Sequence, residues 1–290
     1  MRFRRRALVT VLIICLTVVG GAWTFGSIGA RPHVETIPAP APPGRVVELK
    51  SEDGVRLQGS LWPGKRADGP AILLLHGINS SRASFSRHAL WLNRLGYTVL
   101  AIDFRGHGGS EAVSRTFGLY EARDAAAGLA YLRAGQPDRK VGVIGTSLGG
   151  AAALLGDNGP LPVQAMVLQA VYPDLRKAVT NRIIRVAGRP VAWVGEPLLS
   201  YQSWPRYGVP PSRIAPIDGL RHFHGPVLII GGRADSNTTV DDTLAFYRAA
   251  PGPKQMWLLD GVGHAATGSI FTPEYKERVQ ALFASALGEP

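Results

Sequence analysis

Residues 141–154 read VGVIGTSLGGAAAL, and the reading of this stretch decides the fold. Its first half is a continuous apolar run, the mark of a strand buried on both faces of a parallel sheet. From Leu148 onward the pattern is that of a helix. Between the two stands Gly145-Thr146-Ser147-Leu148-Gly149. A strand that becomes a helix this quickly must turn sharply, and glycine two residues either side of Ser147 leaves room for the strained backbone. Such a turn lifts the Ser147 hydroxyl out of the sheet and sets it on a helix N-terminus. Backbone N–H groups and the positive end of the helix dipole then face any developing oxyanion. Ser147 is the candidate nucleophile. The competing reading is an ordinary Gly-rich strand-to-helix turn; the strand before and the helix after favour the functional one.

Outward from this stretch, Ala71–His76, Tyr97–Asp103, Val163–Ala170, Val227–Gly231 and Gln255–Asp260 are similar apolar runs. Helical stretches alternate with them: Phe85–Leu95, Tyr120–Ala134, Leu148–Gly156, Val240–Ala250 and Pro273–Leu287. Strand then helix, repeated, predicts an α/β fold with a doubly wound, mostly parallel sheet covered on both faces. Arg45–Lys50 and Val55–Trp62 flank Asp53-Gly54, a hairpin signal, and open the domain as an antiparallel pair. Residues 172–215 are too long for an ordinary connection and read as a short cap over the C-terminal edge of the sheet. Leu175, Val179, Ile183 and Val186 share one face of a helix there. No internal repeat is evident.

A serine hydroxyl is a weak nucleophile and needs a base within hydrogen-bond reach. Of the seven histidines, His264 follows the last strand on the Gly-rich loop Asp260-Gly261-Val262-Gly263, which can curl back over the sheet edge. His76, His88, His107, His222 and His224 are assigned to packing, capping or solvent, and His33 to a solvated linker. The imidazole in turn needs an acid that fixes its tautomer. Asp235 closes Gly231-Gly232-Arg233-Ala234-Asp235, directly after a buried strand. Asp260 is its rival, close to His264 in sequence but still on the strand. Asp103 reads as part of a structural turn, and Asp241 and Asp242 as first-turn residues of a helix. Two backbone donors would complete an oxyanion hole, the N–H of Leu148 and that of Ile78, with Gly77 permitting the turn.

The chain has 290 residues and a formal net charge of +11. Its only cysteine, Cys15, lies in an apolar run, so a disulfide framework and a Cys-based metal site are excluded. His222 and His224 lack a third ligand nearby, so no metal and no cofactor are expected. Four of the positive charges are Arg2, Arg4, Arg5 and Arg6, ahead of the uncharged run Ala7–Phe25. A helix of that length spans about 28 Å, close to the hydrocarbon core of a bilayer. Arginines stay cytoplasmic, which sends the rest of the chain to the outer face. Residues 1–30 are therefore read as a membrane anchor, with a cleaved signal peptide and a secreted product as the alternative. Residues 31–44 (RPHVETIPAPAPPG) form a Pro-rich linker able to hold the domain at residues 45–290 up to ~40 Å from the membrane. No Lys/Arg block lies beyond the first six residues, and a nucleic-acid partner is not expected. Between Pro173 and Ala215 six arginines and one lysine face only Asp174 and Glu196; this basic cap reads first as an ordinary solvated charged face, with a surface suited to anionic headgroups as the functional alternative.

His76-Gly77-Ile78, the run Asp103–Ser110 (DFRGHGGS), the serine turn, Gly232-x-x-Asp235 and Gly261-Val262-Gly263-His264 fall in order across the chain beyond the linker. Together they resemble the α/β-hydrolase superfamily, and most closely its small lysophospholipase-like and serine aminopeptidase-like branch. The chain order Ser147, Asp235, His264 is the order of that fold. The resemblance implies hydrolysis of a small-molecule acyl ester, thioester or amide through an acyl-enzyme, with a lipid-derived substrate among the candidates. The basic cap matches no known substrate group, and the anchored N-terminus departs from the family pattern. An acyltransferase or peptidase would use the same three residues. A non-catalytic, membrane-tethered binding module is the third reading, distinguished by its failure to react with a fluorophosphonate. Oligomeric state is not legible.

Overall fold

A computed structural model describes residues 2–157 and 159–290. In chain order its elements are α1 (Arg2–Gly29), β1 (His33–Val34), β2 (Arg45–Lys50), β3 (Arg56–Trp62), β4 (Ala71–Leu75), α2 (Ser86–Leu95), β5 (Thr98–Ile102), β6 (His107–Gly108), α3 (Glu121–Arg133), β7 (Val141–Thr146), α4 (Leu148–Leu154) and β8 (Ala165–Gln169). There follow α5 (Leu175–Ser200), α6 (Ser203–Tyr207), α7 (Pro216–Leu220), β9 (Val227–Gly232), α8 (Val240–Ala249), β10 (Lys254–Leu259), α9 (His264–Gly268) and α10 (Pro273–Leu287).

The main sheet runs β10-β9-β8-β7-β4-β5-β3-β2. Its six strands from β10 to β5 are mutually parallel, whereas β3 runs antiparallel to β5 and β2 antiparallel to β3. Every residue of β4, β5 and β8 is buried, as continuous apolar runs require when helices cover both faces. One face packs Leu129 of α3, Ala152 of α4 and Phe246 of α8 against Leu73 and Val143. The other packs Leu92 of α2 and Phe283 of α10 against Ile72 and Ile144. The α/β, doubly wound, mostly parallel sheet read from the sequence is the observed fold.

The insertion between β8 and β9 folds as α5, α6 and α7. Inside α5 the helix breaks at Gly188 (φ 82°, ψ 172°), just ahead of Pro190. A proline two residues on removes a backbone donor and crowds the preceding turn, and a glycine absorbs the left-handed angle that results. The cap is thus two helical arms rather than one rod.

The linker does not act as a free spacer. Arg115 N–H donates to Ala30 O at 3.0 Å, and β1 pairs in parallel with β6 through His33 N–H to Gly106 O (2.7 Å). Glu35 N–H reaches Gly108 O, and Trp62 Nε1–H donates to Ala41 O at 3.1 Å. Backbone and indole donors that would otherwise face water find partners here, so the segment lies along the domain instead of extending ~40 Å from it. Helix α1 is long and apolar enough to cross a membrane by length and composition.

Candidate active site

The C-terminal ends of β7, β9 and β10 share one edge of the sheet, and each releases one of the residues singled out above. After β7 the backbone at Ser147 takes φ 49°, ψ −109°, outside the regions open to an ordinary side chain. Such an angle persists only where the surroundings fix it. Here Ser147 N–H donates to Gln169 O at 2.8 Å. A Cβ on Gly145 would come within 2.6 Å of Gly150 Cα, and one on Gly149 would run into the Leu75 carbonyl. The glycines flanking Ser147 are thus required by close backbone approach, as the sequence pattern predicts.

Asp235 follows β9 and is buried. Its Oδ1 accepts from Asn237 N–H and Thr238 N–H, both at 2.8 Å, and its Oδ2 lies 2.7 Å from His264 Nδ1. A carboxylate only accepts, so Nδ1 carries the proton and Nε2 is the basic nitrogen when the ring is neutral. His264 opens α9, which is tied to β8 and to the strand that precedes Ser147: Gln169 Nε2–H donates to Thr267 O, and Gly268 packs against Thr146 of β7. Ser147 Oγ has no hydrogen-bond partner among the described residues. Asp235 and His264 are therefore joined, whereas the contact between Ser147 and His264 is not made; in free enzymes such bonds are often long and tighten with substrate.

Asp260, the rival acid, turns away. Its side chain is 91% exposed and pairs with Arg233 Nε at 2.7 Å. Asp103 is buried and holds the Arg82 guanidinium and Gly109 N–H, so it organises a turn. Arg105 is committed to Asp124 and Asp53. Asp242 closes a capping box with Thr239. His76 accepts from Phe104 N–H through Nε2 and donates from Nδ1 to Gly77 O; burial pushes its pKa down to about 4. His88 and His107 are likewise buried and held neutral, each near 4, whereas His222 and His224 are exposed ahead of β9.

Above Ser147 opens a cavity of about 550 Å³, within the roughly 300–1,000 Å³ of small-molecule sites. Ile78 and Leu148, whose N–H groups were singled out as oxyanion donors, line it beside the serine. So do Leu175, Val179, Ile183 and Val186, the helical face read from the sequence. Arg115 and Asn79 also line it and bond to each other. No sequence signal marks that pair, because both sit in loops whose approach depends on the whole sheet. Of the cap arginines, Arg182, Arg185 and Arg206 line the cavity; Arg182 is half-buried and donates to Ala178 O, whereas Arg185 is exposed at the rim and Arg189 is exposed outside it.

A profile of the alpha/beta hydrolase family matches residues 72–277. Two Mycobacterium tuberculosis proteins from different strains, both described as uncharacterized, are 30% identical over 275 residues, which cover 90% of this chain and 89% of theirs. Among solved structures, an esterase of Pyrococcus furiosus superposes with a TM-score of 0.70 at 24% identity, covering 89% of this chain and 99% of its own. A Rhodococcus esterase gives 0.58 at 19% identity, with 84% and 99% covered. At these identities the two structures are likenesses of fold. The profile spans most of the sheet and both loops that carry Asp235 and the serine turn, and on that ground the chain belongs to the alpha/beta hydrolase family.

Proposed function

We propose that the chain is a serine hydrolase that cleaves an acyl ester through an acyl-enzyme, held at the outer face of the cytoplasmic membrane by α1. The observation that carries this reading is the bond from His264 to the buried Asp235 carboxylate, together with a strained Ser147 at the floor of an apolar cavity. With Nδ1 protonated toward Asp235, His264 Nε2 is free to take the Ser147 hydroxyl proton as Oγ attacks the acyl carbonyl. Negative charge then develops on the carbonyl oxygen, where the Ile78 and Leu148 N–H groups stabilise it. Collapse of the tetrahedral intermediate breaks the ester C–O bond, and the imidazolium returns its proton to the leaving alkoxide. Water, deprotonated by the same histidine, releases the acid and restores Ser147.

The anchor supports an extracytoplasmic site through the arginines in the first turns of α1, ahead of its apolar run. Esterase chemistry is preferred because esters need no special protonation of a poor leaving group and the cavity lining is mostly apolar. The test is labelling of the purified full chain with a fluorophosphonate. The wild type should form one adduct, at Ser147, and Ser147→Ala should form none and lose about 10³-fold or more in kcat toward p-nitrophenyl butyrate. Undiminished turnover in Ser147→Ala would remove the serine from the mechanism.

A further inference from the structure

The cavity above Ser147 is not enclosed by the sheet and cap alone. Phe25, Gly26 and Gly29, the last turns of α1, line it together with Phe117, Ile183 and Val186. A tether needs only length and hydrophobicity, yet this helix is fastened to the site by specific bonds. Gln202 Nε2–H donates to Ala22 O at 2.8 Å, and the Arg206 guanidinium reaches Trp23 O and Ser27 Oγ while stacking 3.9 Å from the Trp23 ring. Arg115 donates to Gly29 O at 2.9 Å, which satisfies a helix-end carbonyl that has no intrahelical partner. Gln202, Arg206 and Arg115 themselves line the cavity.

The two glycines at this end of α1 serve different ends. A Cβ on Gly26 would collide with Gln202 Oε1, so its absence lets the helix meet the cap. A Cβ on Gly29 would meet only Phe117 Cζ, at 3.8 Å, so its absence leaves room in the cavity itself. Around this junction the cap exposes Val186, Trp193 and Trp204, at 78%, 85% and 60%, side chains suited to the boundary between lipid and water.

We infer that the last turn of α1 is a wall of the acyl site, so that the membrane helix selects for a long acyl chain taken up at the bilayer surface. An acyl chain that leaves the bilayer along a membrane helix exchanges lipid contacts for apolar protein contacts and crosses no water. The inference rests on Ser147 as nucleophile and on α1 as a retained anchor.

The experiment uses the full chain in detergent and the series Gly29→Ala, Gly29→Leu and Gly29→Phe. Its readout is the ratio of kcat/KM for p-nitrophenyl dodecanoate to that for the butyrate. The ratio should fall stepwise with side-chain size, by about tenfold or more in Gly29→Phe, since a filled hydrophobic pocket rejects methylenes. Gly21→Phe adds the same bulk to α1 where nothing lies within 4 Å of a Cβ, and should keep the wild-type ratio. Should Gly29→Phe fail to fold, judged by fluorophosphonate labelling, the Ala and Leu members carry the comparison. A constant ratio across labelled variants overturns the acyl wall and leaves the hydrolase intact. An unlabelled wild type overturns the hydrolase reading, and a mature chain beginning near Ala30 or Arg31 overturns the anchor and the wall together.

Discussion

Asp235→Asn isolates the function of one buried oxygen. In the structure Oδ1 is engaged by two backbone N–H groups at 2.8 Å and Oδ2 faces His264 Nδ1 at 2.7 Å. An asparagine must keep its oxygen toward Asn237 and Thr238, because turning it would set its NH₂ against two donors. The NH₂ therefore faces His264, and Nδ1 becomes an acceptor. The imidazole proton moves to Nε2, the nitrogen that should accept from Ser147. A triad held in the wrong tautomer loses about 10⁴-fold in kcat, four decades or roughly 5.4 kcal/mol of transition-state stabilisation. Asp260→Asn is the control. Among the described residues its ion-pair partner is Arg233 at the surface, and an exposed pair of that kind changes little, so turnover should fall less than about fivefold. The assay is steady-state hydrolysis of p-nitrophenyl butyrate at neutral pH, with the melting midpoint of each variant as a check on folding. A crippled Asp260→Asn beside a mild Asp235→Asn would refute the reasoning and exchange the two loops.

Two further outcomes follow from burial and charge. His88 donates to Ile270 O through Nε2, and burial lowers its pKa from 6.5 to about 4. Between those values the unfolded chain binds a proton that the folded chain refuses, so the His88 contribution to stability falls as pH drops from about 6.5 to about 4 and is constant below. A shift of that size corresponds to roughly 3 kcal/mol, and His88→Gln should show a shallower acid limb in thermal melts; parallel limbs would count against it. At the cap, Arg185 and Arg189 are exposed and have no carboxylate partner among the described residues. Changing both to Gln should reduce the preference for ester presented in anionic over zwitterionic mixed micelles, by up to roughly 30-fold at low salt if each contributes about 1 kcal/mol. An unaltered preference would make the cap an ordinary solvated face.

Local chemistry explains which parts of this arrangement were legible. β2, β7 and α10 occupy the ranges read from sequence, because alternation, a buried apolar run and an amphipathic repeat each leave a pattern of their own. The Asp235–His264 contact was also accessible, since each residue ends a strand at the same edge and their order restricts the pairing. The buried Arg82–Asp103 pair was not read: Arg82 lies 21 residues from its partner, in a short 3₁₀ turn ahead of α2. The docking of residues 31–44 escaped for another reason. Parallel pairing of β1 with β6 uses backbone groups, which every sequence carries, while Pro-rich composition argues for extension. Likewise Gly188 and Pro190 announce a break in α5, but not that its first arm would close over the serine.

The two strands that end the sheet have a bearing on the anchoring proposed for α1. β2 presents Arg45, Glu48 and Lys50 to solvent, and β10 begins with Lys254 and Gln255. Unpaired edges are templates on which a second copy could extend the sheet, and charged side chains along them discourage that. Molecules confined to a plane meet one another far more often than molecules dispersed in a volume. For such a molecule, charged borders on the sheet keep neighbours apart, so that copies can crowd together and still remain separate.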